Sequence, residues 1–282
     1  MKKVKLYLSY AGHCIANENH AISGGRKMKI KFHALWGLIQ HPEKGWILYD
    51  TGYTQRFYDS TRKFPNKIYA LSTKVIITPQ EEVKAQLLGN GISPNEIKHI
   101  IVSHFHADHI GGLSDFPNAT FYVSKKALEQ ALNIPKSIAF SKGILKDLIP
   151  KNIEKRAYII EDKCLKISDD NFDYKYDLFG DKSIYVSHLP GHAAGQIGIL
   201  LETFRRKYFL IADSCWIKKS YEENVLPNQI VRLFFHSWKS YKKTLNRLHL
   251  FHLKYPEVIM VPTHCEQTTV NLVQNKFNID VL

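Results

Sequence analysis

Residues 103–112 read Ser103–His104–Phe105–His106–Ala107–Asp108–His109–Ile110–Gly111–Gly112, and no other stretch constrains the chain as strongly. The apolar run Ile100–Ile101–Val102 just before it reads as a buried strand. Three imidazoles and a carboxylate therefore follow a strand end, where a loop can aim them at one place. Neutral imidazole and carboxylate are ligands that zinc and similar first-row metals accept. The paired glycines let the backbone turn tightly beside them. The plainer reading, a polar surface loop that happens to be rich in histidine, has to be weighed against the rest of the chain.

Val4, Leu6 and Leu8 alternate as in a half-buried strand that ends at Ala11–Gly12–His13–Cys14. Residues 17–27, with Gly24–Gly25, read as a loop. Strands at 28–39 and 46–49 form a hairpin around His41–Pro42–Glu43–Lys44–Gly45 and run into Asp50–Thr51–Gly52. Thr78–Pro79–Gln80–Glu81 combines a cap, a proline at the first helical position and a capping box. It predicts a helix through Val83 and Leu87–Leu88 that stops at Gly89–Asn90–Gly91, and Ser93–Pro94–Asn95–Glu96 repeats the signal. Further strands are expected at 120–123, 183–187, 197–201, 208–211 and 258–261, with helices at 125–132 and 237–255. Strands in both halves, with capped helices between them, favour two packed sheets flanked by helices.

Four strand ends now each present candidate ligands. The first gives His104, His106, Asp108 and His109; the others give His192, Asp213 and His264. That set suffices for two divalent ions sharing a bridging carboxylate. His104, His106 and His192 suit one ion, Asp108, His109 and His264 the other, with Asp213 between them. Zinc is the first expectation, while iron, manganese and cobalt accept the same donors.

Length and composition set the frame. A chain of 282 residues, 44% hydrophobic, suits one domain over 1–282 with pocket-forming insertions near 53–77, 134–160 and 217–236. The net charge of +13 is spread along the chain, and no nucleic-acid-binding motif accompanies it, so no such partner is expected. Cys14, Cys164, Cys215 and Cys265 form no C-x-x-C pair, and free thiols in a reducing cytoplasm are expected. No stretch reaches the apolar length of a membrane span. The oligomeric state is open, a homodimer included.

The residues His104-x-His106-x-Asp108–His109, Gly191–His192, Asp213 and His264, with Asp50–Thr51–Gly52, closely resemble the metallo-β-lactamase superfamily in order and spacing. The resemblance implies an α+β fold, a four-layer αββα sandwich with the metal site at one edge between the sheets. Tyr10–Ala11–Gly12–His13–Cys14, Pro190–Gly191–His192 and the His264-x-Glu266–Gln267 ending are most similar to the N-acyl homoserine lactonase branch. That likeness implies a metal-dependent hydrolase acting on a small-molecule lactone or ester. In it Asp108 shuttles a proton to the leaving alkoxide, and Asp50 orients ligand histidines by hydrogen bonds. Where the lactonases carry a tyrosine three residues after the bridging aspartate, this chain has Trp216, with one N–H donor and no hydroxyl. Trp216 is then the expected donor to the substrate carbonyl. A glyoxalase II-like thioesterase or a phosphodiesterase on an anionic substrate shares the ligand pattern. A non-catalytic metal-binding accessory protein is the third alternative.

Overall fold

In a computed structural model, residues 2–273 are described; Met1 and residues 274–282, the two ends of the expected domain, lie outside that range. The first sheet contains β1 (Lys5–Asn17), β2 (Lys29–His41), β3 (Gly45–Tyr49), β4 (Lys74–Ile76), β5 (His99–Ile101), β6 (Thr120–Val123) and β7 (Ala157–Ile159), in the order β4-β1-β2-β3-β5-β6-β7. The second contains β8 (Leu165–Asp169), β9 (Asp173–Asp177), β10 (Ile184–His188), β11 (Ile197–Glu202), β12 (Lys207–Ala212) and β13 (Val258–Pro262), in the order β13-β12-β11-β10-β9-β8.

Side-chain alternation along these strands dictates the layers. Leu35, Ile47 and Ile101 point one way and pack between the sheets on Val186, Ile199, Leu210 and Val261. Their neighbours Trp36, Leu48 and Ile100 point the other way and pack with Val83, Leu87 and Ala127 of the outer helices. In the second sheet Phe209, Ile211 and Met260 face outward onto Leu245, Leu248 and Phe251 of the helix Trp238–Lys254. The order is helix, sheet, sheet, helix: the αββα sandwich that the sequence led us to expect. Each fully buried aliphatic or Phe side chain contributes about 1.5–3 kcal/mol, so three apolar clusters fix the stacking.

Register brings the loops together. β3, β5 and β6 run parallel, with Tyr49 opposite Ile101 and Ile101 opposite Tyr122. The loops after β3 and β5 therefore leave the sheet at the same edge. β12 and β13 are also parallel, with Ala212 opposite Pro262, so the turns bearing Asp213 and His264 emerge side by side.

Several expectations need correction. β1 does not end at Cys14. A bulge between Tyr10 and His13, at Gly12 with φ 75°, lets it continue to Asn17 and pair with β2 and β4. Residues 18–21 of the expected loop form a helical turn. The Thr78 capping box is present, but it closes only a 3-10 turn, Pro79–Glu81. Glu82 is extended there (ψ 142°), and the α-helix begins afresh at Val83–Gly89. The Ser93 box likewise closes a single 3-10 turn. Inside 134–160, β7 extends the first sheet beside β6. The β8–β9 hairpin and the helix Glu266–Leu272 were not anticipated.

Candidate metal centre

The site is assembled from four strand ends. After β5 the chain turns through Ser103 into one helical turn, Ala107–Ile110, with His106 at its N-cap. Asp50–Thr51–Gly52 clamps this turn. Thr51 N–H and Oγ–H both donate to the His109 carbonyl, at 2.8 and 3.0 Å, and Gly111 N–H donates to the Gly52 carbonyl at 3.0 Å. A Cβ on Gly111 would stand 2.5 Å from that carbonyl oxygen, so only glycine permits the approach. Asp50 and Ala212, at the ends of β3 and β12, hold positive φ (57° and 48°). Such left-handed non-glycine residues concentrate at functional sites. On the second sheet, His192 follows Gly191, and both their carbonyls accept from residues 236–237 at 2.9 Å.

The seven expected residues converge. One ligand atom from each of His104, His106 and His192 lies within 4.8 Å of the others, and the same holds for Asp108, His109, Asp213 and His264. Asp213 stands between the two groups. Its Oδ2 is 3.2 Å from His192 Nε2 and 2.9 Å from His264 Nε2, while Oδ1 is 3.3 Å from His109 Nε2. Asp108 Oδ2 lies 3.3 Å from His264 Nε2 and 3.5 Å from His109 Nε2.

The outward nitrogens of these rings are held from behind. Asp50 Oδ2 accepts from His109 Nδ1 at 2.7 Å and from Ser103 Oγ at 2.7 Å, and its Oδ1 accepts from Ser103 N–H at 2.7 Å. His264 Nδ1 donates to the His33 carbonyl at 2.8 Å. A carboxylate or carbonyl behind a ring fixes its tautomer, leaving Nε2 with a lone pair aimed into the site. Asp50 thus occupies the orienting position expected of it. The His33 carbonyl was not foreseen, because a backbone acceptor leaves no mark in the residue string.

Electrostatics divide the cluster in two. Burial holds His104 well below the usual imidazole range, and likewise brings His106 to about 4 and His192 to about 3. These rings are neutral at pH 7, the form that ligates metal. In the other group burial opposes charge, but the contacts between ions win. Asp108, Asp50 and Asp213 together hold His109 well above its usual range, and Asp213 with Asp108 raises His264. Facing His109 and His264, the Asp108 carboxyl falls to about 2 and that of Asp213 well below its usual value. Burial pushes the Asp50 carboxyl up against the pull of His109 and Ser103.

The residues fit a pair of divalent cations. His104 Nε2 is buried without a hydrogen-bond partner. It costs about 1–3 kcal/mol unless a cation takes its lone pair.

A cavity of about 260 Å³ opens onto His106, Asp108, His192, Asp213 and His264. Ile15, Ala16, Phe32, Phe140, Val231 and Phe234 supply apolar walls, and no Lys or Arg lines it among the described residues. Tyr53, Tyr69 and Gly143 also face it. Trp216 is at the mouth, packed by Phe32, His192 and Phe235 at ring distances of 5.8, 5.8 and 5.4 Å. Its N–H donates to Asp213 Oδ2 at 3.3 Å. The donor expected to meet a substrate carbonyl thus points at the Asp213 carboxylate in this structure.

A family model described as the metallo-beta-lactamase superfamily matches residues 31–248. The chain belongs to that superfamily. It is 26% identical over 229 residues to N-acyl homoserine lactonase AttM of Azorhizobium caulinodans, covering 80% of this chain and 82% of that protein. Among solved structures it superposes on an N-acyl homoserine lactone hydrolase with the product N-hexanoyl-L-homoserine bound at its catalytic metal centre (TM-score 0.74, 21% identity, 95% of each chain). It also superposes on AidC, a dizinc quorum-quenching lactonase (TM-score 0.63, 17% identity, 94% of this chain and 88% of that one). These two superpositions establish a shared fold.

Proposed function

We propose that the protein is a dinuclear-metal-dependent hydrolase that opens lactones, N-acyl homoserine lactones foremost, with two zinc ions. The observation that carries this reading is the apolar, cation-free cavity directly against the His/Asp cluster. An acyl chain suits such walls. A glutathione thioester carries carboxylates remote from its reacting carbonyl, and no Lys or Arg of the lining would pair with them. The lactonase relatives support the same choice.

In this reading His104, His106 and His192 would hold one ion, and Asp108, His109 and His264 the other, with Asp213 shared. When bound, such a pair supplies Lewis acidity toward a carbonyl oxygen and hydroxide near neutral pH. The chain's own residues do the rest. The walls from residues 53–77, 134–160 and 217–236 seat the acyl group and exclude water. Asp108, which lines the cavity, carries a proton to the leaving alkoxide. Trp216 is a positioning residue: its N–H holds Asp213 Oδ2, and its ring closes the mouth.

The test is proton release from zinc-reconstituted protein mixed with hexanoyl and decanoyl homoserine lactone in weak buffer. Ring opening yields one carboxylate and one proton. Fast release that vanishes in His106→Ala is expected. No release from either lactone, with two metals confirmed bound, would refute the lactonase reading and favour the thioester and phosphodiester alternatives.

A further inference from the structure

Three segments of the chain line the cavity. Tyr69, Ser72 and Thr73 come from the first, Phe140 and Ser141 from the second, Val231 and Phe234 from the third. Each also turns large apolar side chains to solvent. Phe64 is 68% exposed and Leu71 73%; Ile138 is 52%, Ile230 61%, Leu233 78% and Phe234 58%. Lone exposed apolar residues are ordinary, but several of them on three segments that line one cavity mark an interaction surface.

The charge around this patch selects the partner. Residues 60–78, 134–146 and 224–240 contain nine Lys or Arg and no Asp or Glu, with Asp59, Asp147 and Glu223 at their borders. Of these, Lys136 is paired with Asp147 at 2.7 Å. Exposed Arg62, Lys63 and Lys67 lie beside Phe64 and Leu71, and exposed Arg232 beside Leu233. Protruding apolar side chains set among unopposed cations are what an anionic bilayer surface accepts: the apolar tips enter the acyl boundary while the cations meet lipid phosphates. A protein partner would need a matching acidic groove, and a second copy would set cation against cation.

We propose that this rim docks the protein on anionic membrane surfaces, with the cavity mouth facing the bilayer. No helix among the described residues is long and apolar enough to cross a membrane, so the attachment is peripheral. It places the site where lipophilic small molecules concentrate.

The test needs no substrate, so its outcome is independent of the lactonase reading. Full-length metal-loaded protein is sedimented with vesicles of phosphatidylcholine alone or with 30% phosphatidylglycerol. Binding to the anionic vesicles only is expected, weakening with salt. Lys63→Gln and Lys67→Gln should each weaken it about fivefold, and Leu71→Glu with Leu233→Glu by roughly tenfold or more. Both leucines are solvent-exposed, and circular dichroism verifies folding of the pair variant. Absence of binding, or binding unaltered in the leucine variant, overturns the proposal. So does a wild-type dimer that the same variant splits, which would make the patch a subunit interface.

Discussion

Asp50→Asn isolates the support behind the cluster with the least disturbance. Asparagine tolerates the left-handed φ of 57° at this position, and its volume matches. Asp50 accepts three hydrogen bonds, each 2.7 Å long: from Ser103 N–H, Ser103 Oγ and His109 Nδ1. The variant's carbonyl can keep Ser103 N–H, and the serine hydroxyl can rotate to accept from the new amide. His109 cannot adapt so easily. Either Nδ1–H faces an N–H donor, or the proton moves to Nε2, the atom aimed at Asp108 and Asp213. A hydrogen bond to a charged group is worth about 1.5–3 kcal/mol, and relief from burying the Asp50 charge returns part of it. Metal-free protein should therefore lose about 1–2 kcal/mol. The larger effect falls on metal affinity, expected to drop about 10- to 100-fold because the ligand must first shed a proton. Competition against a chromophoric zinc chelator measures this, with denaturant unfolding of the chelated protein alongside. Affinity within twofold of wild type would refute the claim that Asp50 sets the tautomer of His109.

Three further outcomes follow from the same geometry. A Cβ at Gly143, where φ is 70°, would lie 2.7–2.9 Å from the His106 ring; Gly143→Ala should displace that ring and cut kcat/KM by about 100-fold or more, and unchanged kinetics would show that 134–146 does not hold His106. Asp108→Asn should retain bound metal but lower turnover about 100-fold or more; unaltered turnover would remove the proton-shuttle role. Chelated protein supplied with free zinc at a hundred times its Kd should gain about 2.7 kcal/mol of stability, and an unmoved thermal transition would contradict a metal site formed by the fold.

The fold was legible where one strand or helix carries its own signal. β2, β3, β12, β13 and the helix Trp238–Lys254 are long or strictly patterned, and they stand within one or two residues of their expected limits. The capping boxes at Thr78 and Ser93 misled in extent. Their local chemistry is present, but it stops 3-10 turns at Glu82 and Ile97, which leave in extended conformation. A box satisfies the first donors of a helix and cannot decide whether tertiary packing lets the helix go on. β7 and β8 were missed because they are short strands at the sheet edges, with few buried positions to impose a period.

The candidate site divides along the same line. Its seven convergent residues were readable because each follows an apolar run that ends abruptly, and parallel register brings such ends to one edge. The parts that decide substrate are not of that kind. Trp216 invited assignment as a donor by its place in the chain. Where that N–H points is set by Phe32 and Phe235, which box the ring from two remote segments and leave it 3.3 Å from Asp213 Oδ2. Gly143 looks like any loop glycine until the His106 ring is found where its Cβ would stand. The walls come from segments whose side chains obey no period, since they face a cavity on one side and water on the other. Chemistry in this chain is therefore encoded locally, and specificity through long-range packing. Exchanging 224–240 should alter which acyl chain is accepted far more than it alters metal affinity. The limit to that separation is His192, whose carbonyl receives the His236 N–H; an exchange that lost this bond would disturb both.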